Sequence, residues 1–331
     1  MDETICIGIE STAHTFGAGI IGSGGRVYAN SRDTYKPKSG YGIIPQDAAL
    51  HMRSVSDAVI SRALESAGMG LDQVDIISFS RGPGLPLSLR VGMEKASGLA
   101  HSHEKPLYGA NHCIGHIEIG MLETGAIDPI TVYASGGNTQ VMGFTESRYR
   151  IFGETLDIAL GNAFDMFARA AGLEHPGGPK IEKLAENGKY IELPYVVKGM
   201  DLSYTGLVSQ AIRLLKKESL EDLCFSLQET CFAMLTEVSE RALAHTGKSE
   251  ILLTGGVAAN SRLQEMLKTM CSERGATFRG VPMDFAGDNG IMIAWTGQLM
   301  HRSGCSVFDL ARDDILPRWR TDEVDVRWKE I

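Results

Sequence analysis

The sequence predicts an α/β fold of two lobes, each a mixed sheet with helices packed on it. Three observations carry that prediction. The chain has 331 residues, enough for two lobes or two domains. Its 43% apolar and 22% charged residues describe an ordinary globular protein with ample material for a core. The order of strand and helix signals in the first half also recurs in the second.

In the first half, ICIGIE (5–10) is a short apolar strand followed by the polar turn STAHTF. GAGII reads as a second strand and RVYANS, after SGG, as a third. A helix follows over about 46–67, with Ala49, Val55, Val59, Ile60 and Leu64 on one side. VDIISFS (74–80) is a buried strand ending in the loop signal RGPG. Residues 86–103 read as a helix, LYGAN as a short strand, and 112–123 as the helix that closes the half.

In the second half, ITVYAS (130–135), TQVMGF and RYRIFGE are three strands, with GGN turning between the first two. Helical material is expected from about 160 to 246, then the buried strand EILLTGG (250–256) and a helix at 259–274. ATFRGV is a strand and 286–302 the last helix. The halves share element order but little sequence. Two such lobes facing each other across a cleft make the actin-like, sugar-kinase and heat-shock-ATPase fold; two unrelated Rossmann-like domains are the alternative. The division expected is 1–127 for the N-terminal lobe and 128–320 for the C-terminal lobe, with a helical insertion at about 160–220. The tail 321–331 is polar and charged, as a domain linker would be.

The net charge of −9 argues against a free-standing polyanion binder, so a nucleic-acid partner would need local basic patches or another subunit. Arg148–Arg150, Arg213–Lys217 and Arg318–Arg320 are the candidate patches; solvated surface is their simpler reading. The N-terminus has neither the basic nor the apolar region of a signal peptide, and no run of about 18 apolar residues exists to span a membrane. Cys6, Cys113, Cys224, Cys231, Cys271 and Cys305 show no C-x-x-C pairing. They read as reduced thiols of a cytoplasmic protein.

No G-x-G-x-x-G follows either first strand, and no G-x-x-x-x-G-K-[ST] occurs, so dinucleotide and P-loop chemistry are disfavoured. Three small-residue turns at strand ends remain as places where backbone N–H groups could meet a phosphate: Ser11–Thr12, SGGNT (135–139) and TGGVAAN (254–260). Any one could be a tight turn only; three at matched strand ends favour a nucleotide. Asn260 stands near a helix start, where it could meet a base or ribose. Asp165, among Phe164, Met166 and Phe167, could bind ribose hydroxyls or be a helix-surface carboxylate. Gly177–Gly178–Pro179 opens a helix, and Glu182, one turn in, is either a first-turn charge or a second ribose contact. Lys198 reads as a surface lysine, and His14 as a structural histidine in a turn.

His112 and His116 sit four apart, so on a helix they share a face and could reach one metal. That spacing is common by chance. The metallopeptidase motif H-E-x-x-H would need Glu where Cys113 stands. The repeat strengthens the metal reading: Asp288, in FAGDNG, opens the matching helix of the second half, and in a pseudo-symmetric fold the two helix starts face each other. Two histidines and a carboxylate suit iron or zinc and leave positions open. Tyr133 could add a phenolate oxygen.

GIESTAHTFGAGI, NHCIGHIEIG, VYASGGNTQV, ETLDIALGNAFD, HPGGPKIEKLA, KGMDLSYTGL, LLTGGVAAN and FAGDNGIMIAW, in this order, resemble the universal tRNA threonylcarbamoyladenosine transferase family. The form is that of the archaeal and eukaryotic catalytic subunit of the KEOPS complex, once described as an O-sialoglycoprotein endopeptidase. The likeness runs from about residue 4 to 320. It implies transfer of a threonylcarbamoyl group from threonylcarbamoyl-adenylate to the exocyclic amine of the adenosine beside the anticodon, in tRNAs reading codons that start with A, with release of AMP. It implies one divalent metal, usually iron and sometimes zinc, on His112, His116, Tyr133 and Asp288. It further implies an adenine nucleotide (threonylcarbamoyl-adenylate, ATP or AMP) on Tyr133, Ala134, Ser135, Gly136 and Gly137, with Asp165, Gly178, Glu182 and Asn260 forming the adenosine pocket. Glu10 matches a carboxylate at the cleft entrance and is the candidate base. Ala13–His14–Thr15 and Gly161–Asn162–Ala163 follow the archaeal pattern, not the bacterial one. The partners implied are tRNA, a small dimerising subunit on the N-terminal helices, and a small kinase/ATPase on the C-terminal lobe, fused to this chain in some archaea. The rival reading is a small-molecule or protein phosphotransferase or ATPase of the same superfold, which would have no use for two histidines facing Asp288.

Overall fold

The computed structural model describes residues 3–37 and 42–329. Two five-stranded mixed sheets organise it. The first is built from β1 (Ile5–Glu10), β2 (Thr15–Gly22), β3 (Val27–Thr34), β4 (Ile76–Gly82) and β5 (Leu107–Asn111). Its helices in the same stretch are α1 (Pro45–Ala67), α2 (Pro86–Ser102) and α3 (His112–Thr124). The second stretch supplies β6 (Ile130–Ala134), β7 (Thr139–Thr145), β8 (Arg148–Glu154), α4 (Leu160–Ala170), α5 (Gly177–Ala185), β9 (Val197–Lys198), β10 (Asp201–Leu202), α6 (Thr205–Leu214) and α7 (Leu220–Thr246). It ends with β11 (Glu250–Thr254), α8 (Ser261–Arg274), β12 (Thr277–Gly280), the single turn α9 (Met283–Ala286) and α10 (Gly290–Arg302).

The spatial orders are β3-β2-β1-β4-β5 and β8-β7-β6-β11-β12. In both sheets the first three strands pair antiparallel and the last two add in parallel. The repeat expected from the sequence is thus a repeat of topology, strand for strand. Each sheet buries both faces. One face of the first packs under α1 and α2, around Ile7, Phe16, Val59, Phe79 and Leu89. One face of the second packs under α4 to α8, around Val132, Phe164, Leu227, Phe232 and Leu252.

The opposite faces carry a crossover that the division at residue 127 misses. α10, late in the chain, lies on β1, β2 and β4 of the first sheet, and α3 lies against β6 and β11 of the second. The two helices also pack on each other in the middle of the molecule. Close backbone approach holds α10 there. A Cβ added at Gly290 would stand 2.2 Å from the Gly19 nitrogen, which no side chain tolerates. α3 is buried from His112 through Gly120, on every side, as a helix between two sheets must be.

Three further expectations need correction. The stretch 160–246 is not continuously helical: Pro194, followed by Val196 and Val197, favours extended backbone, and Gly199 (φ 66°) turns the small β9–β10 ribbon. The last helix does not begin at 286. Asn289 donates from Nδ2 to the Phe285 and Gly287 carbonyls and caps α10 by accepting from Met292 N at 3.0 Å, so the chain breaks at 287–289. The tail is not a linker as far as residue 329, and residues 330–331 lie outside the described residues. Ile315 joins the first core, Val324 and Val326 pack against α3, and the Lys329 ammonium sits 4.8 Å over the Tyr149 ring. Apolar anchors spaced through a charged segment make it a strap laid over both sheets. No helix among the described residues is long and apolar enough to cross a membrane, and the six cysteines are free.

Candidate metal and nucleotide site

β5 runs directly into α3, and the Asn111 side chain makes the join. Its Oδ1 accepts from Cys113 N (3.0 Å) and Ile114 N (3.2 Å), capping the helix so that His112 is its first residue. His116 follows one turn later on the same face, with the two rings 4.7 Å apart and nearly perpendicular. Opposite them, the break before α10 leaves Asp288 in a loop. Asp288 Oδ1 lies 3.6 Å from His112 Nε2 and 3.4 Å from His116 Nε2. All three donor atoms fall within 4.8 Å of one another. Two ligands sharing a tetrahedral zinc at ordinary bond lengths would stand about 3.3 Å apart, so the donor set fits an ion of this kind.

The electrostatics also suit a cation. Burial opposes charge on His112, but Glu10, and then Asp288, outweigh it and push the pKa up to about 9. Burial lowers that of His116. Burial would raise Asp288; the His116 hydrogen bond and the neighbouring imidazoles instead hold it well below the carboxylate range. Tyr133, at the end of β6, is fully buried with its ring 5.0 Å from that of His116, and its hydroxyl makes no hydrogen bond. A buried hydroxyl without a partner is costly and suits a position beside an ion. Burial drives its pKa well up. The Cys113 thiol, buried, is pushed up to about 12, far from a thiolate nucleophile.

Glu10 does not stand at a cleft entrance. It ends β1 with no exposed surface, because β1 is the central strand of its sheet. Its Oε2 lies 3.0 Å from His112 Nδ1, while Oε1 accepts from Thr12 N (2.6 Å) and Thr12 Oγ1 (2.5 Å). A carboxylate so enclosed has both oxygens committed to Thr12 and His112. Thr12, expected from the sequence only as part of a turn that could meet a phosphate, directs its N–H and hydroxyl to Glu10.

From Tyr133 and Ala134, both buried, the chain enters the loop Ser135–Asn138, closed by Ser135 N donating to Asn138 O at 2.8 Å. Gly136 and Gly137 are exposed with open space where a Cβ would be. Gly161, at the start of α4, closes on the loop and donates from its N–H to Ser135 O at 3.1 Å. The second glycine turn abuts the same strand end. Gly255 has φ 94°, and a Cβ there would meet the Ala134 oxygen at 2.4 Å, so only glycine serves.

The expected adenosine pocket draws on α4, α5 and α8, and its polar groups already have protein partners. Asp165 Oδ1 accepts from Gly177 N at 2.7 Å, and Oδ2 lies 3.4 Å from His175 Nδ1. Gly178 sits next in α5, near the Phe164 ring. Glu182 Oε1 accepts from both Ser261 N (2.8 Å) and Ser261 Oγ (2.6 Å). Asn260 is buried, caps α8 through Arg262 N and Leu263 N, and donates to Gln228 Oε1 at 2.9 Å. Its place is that of a helix cap rather than an open contact. His14, read as structural, stands across from His175 with ring centroids 6.4 Å apart.

A profile of the family described as tRNA N6-adenosine threonylcarbamoyltransferase matches residues 26–295. A protein of that name from Methanococcoides burtonii is 52% identical over 329 residues, covering 98% of this chain and 97% of its own. The chain belongs to the tRNA N6-adenosine threonylcarbamoyltransferase family. Another relative of the family, from Methanobrevibacter smithii, is 54% identical over 325 residues and is named a probable bifunctional tRNA threonylcarbamoyladenosine biosynthesis protein. This chain spans 60% of that protein's length. Among solved structures, HypF of T. kodakarensis matches with a TM-score of 0.64 at 15% identity, covering 92% of this chain and 49% of HypF. Component A of the Acidaminococcus fermentans (R)-2-hydroxyglutaryl-CoA dehydratase matches at 0.56 and 14%, covering 90% and 98%. These two likenesses bear on the fold, which is the actin-like one expected.

Proposed function

We propose that the chain transfers a threonylcarbamoyl group from threonylcarbamoyl-adenylate to N6 of the adenosine beside the anticodon, in tRNAs that read codons starting with A. The adenosine amine attacks the carbamoyl carbon, the bond from that carbon to the phosphate oxygen breaks, AMP departs, and the amine's proton passes to the departing phosphate or to water. The observation that carries the reading is the convergence of His112 and His116 of α3 with Asp288, beside Tyr133, which stands three residues before the open glycine Gly136.

In this reading His112, His116 and Asp288, with Tyr133 beside them, hold one divalent ion, iron or zinc by the donor chemistry. Such an ion, when bound, supplies Lewis acidity toward the carbonyl and needs no nucleophilic side chain. The Gly136 and Gly137 N–H groups are free to donate to the departing phosphate. Asp165, Gly178, Glu182 and Asn260 shape the adenosine end; their existing bonds support a preformed wall, with Asn260 acting through its cap. Glu10 has no part as a base. The mixed anhydride is already activated, so placement of the amine is the remaining requirement.

The tRNA partner fits a division of labour. Arg150 pairs with Glu146, and Arg320 with Asp322 and Glu154, which partly neutralises two of the three basic clusters, while Arg148 and Arg318 stay exposed without an ion pair among the described residues. Other KEOPS-type subunits, a dimerising protein and a kinase/ATPase, would then supply tRNA contacts, the kinase either as a separate chain or as a continuation of this one. The bifunctional naming of the longer relatives supports the latter, and tRNA modification implies the cytoplasm. The test supplies the full-length protein with these subunits, the adenylate-making enzyme, labelled threonine and tRNA. Label should enter tRNA with matching AMP release, and His116→Ala should cut the rate at least ~100-fold. Absence of label with every component present, or full transfer by the variant, would overturn the proposal.

A further inference from the structure

We propose that Glu10 is the positioning residue that makes His112 a ligand, by dictating which imidazole nitrogen carries the proton. The inference rests on the metal reading above. A neutral imidazole has one N–H and one lone pair, and only the lone pair binds an ion. His112 Nε2 faces Asp288, and His112 Nδ1 faces Glu10 Oε2 at 3.0 Å. A carboxylate accepts hydrogen bonds and donates none, and the other Glu10 oxygen already accepts from the Thr12 N–H and hydroxyl. The proton must therefore sit on Nδ1, which leaves the Nε2 lone pair aimed at the site.

Glu10 cannot turn away from this task. It is fully buried on the central strand, paired across to Gly17, and its other oxygen is fixed by the Thr12 N–H and hydroxyl. Thr12 Oγ1 is itself 3.3 Å from His112 Nδ1. With its hydrogen committed to Glu10, that oxygen also faces the ring as an acceptor. His116 has no counterpart: its Nδ1 is buried without a hydrogen-bond partner. Behind its ring, one histidine thus has a dedicated carboxylate on Nδ1, whereas the other has only the packing of Tyr133 and His112 around it.

The chemistry gives a test in which size and hydrogen-bond direction pull apart. In Glu10→Gln the amide oxygen must serve the Thr12 N–H, so the amide NH₂ turns to His112 Nδ1. That forces the proton onto Nε2, pointing into the ion's place. In Glu10→Ala the ring loses its orienter but either tautomer stays open. Competition of the full-length protein against a chelator for Zn²⁺ or Co²⁺ reads affinity without any turnover. The expected order is wild type, then Glu10→Ala, then Glu10→Gln, with the last about 10–100-fold or more below wild type. A purely space-filling role instead puts Glu10→Ala below Glu10→Gln, because alanine leaves the larger void. Wild-type affinity in Glu10→Gln, or alanine weaker than glutamine, would refute the inference while leaving the metal site standing. A wild type that takes up no ion would remove both. Should Glu10→Gln not fold, Thr12→Val provides the second handle: it strips one hydrogen bond from Glu10 Oε1 and is expected to weaken uptake several-fold, and unchanged uptake would count against the proposal.

Discussion

His112 in the metal-free protein lies between two carboxylates, and any incoming ion must displace its proton. Its pKa is raised from 6.5 to about 9 on folding. The sign follows from linkage: a raised basic group stabilises the fold fully below 6.5, and that stabilisation is lost as pH climbs through about 9. The melting temperature of metal-free protein should therefore fall across this window, and His112→Gln should flatten the fall. Ion uptake should strengthen over the same range as the competing proton leaves. Thermal melts and chelator competition at several pH values check both. At this scale the four-residue spacing and the FAGDNG loop pointed to three residues that the fold does bring together. The sequence put Glu10 at a cleft entrance, because its partner lies 102 residues away and only the folded sheet determines its burial.

At the scale of elements, the site depends on where α10 begins. Asn289 caps the helix, and Gly290 lets it touch the backbone of β1 and β2, so Asp288 is fixed by packing two residues downstream. Gly290→Ala would push a methyl group into Gly19 and lift the helix start. It should cost about 1–3 kcal/mol, read by denaturation, and should weaken ion affinity more than a distant substitution of equal cost. Element order was legible from hydrophobic runs and turn residues. The crossover of α3 and α10 was not, since periodicity gives an apolar face but not the sheet it will meet. The one available signal was NHCIGHIEIG itself, too apolar all round for a helix with a solvent side. The strap was hidden similarly: Val324, Val326 and Lys329 look like linker residues until α3 and β8 supply the surface they cover.

For the whole molecule, the matched strand orders explain why one site draws on both halves of the sequence. Each half delivers a helix into the middle of the structure, where the two meet, and His112, His116 and Asp288 come together at their N-terminal ends. A single ion would then tie together segments 172 residues apart. The direct measurement is metal content and affinity of the full-length protein beside His116→Ala and Asp288→Asn, each checked for folding. One tightly held ion per chain in the wild type, lost in both folded variants, is the expected result. An ion retained equally by all three, or none in the wild type, would contradict the joint site on which the proposed chemistry depends.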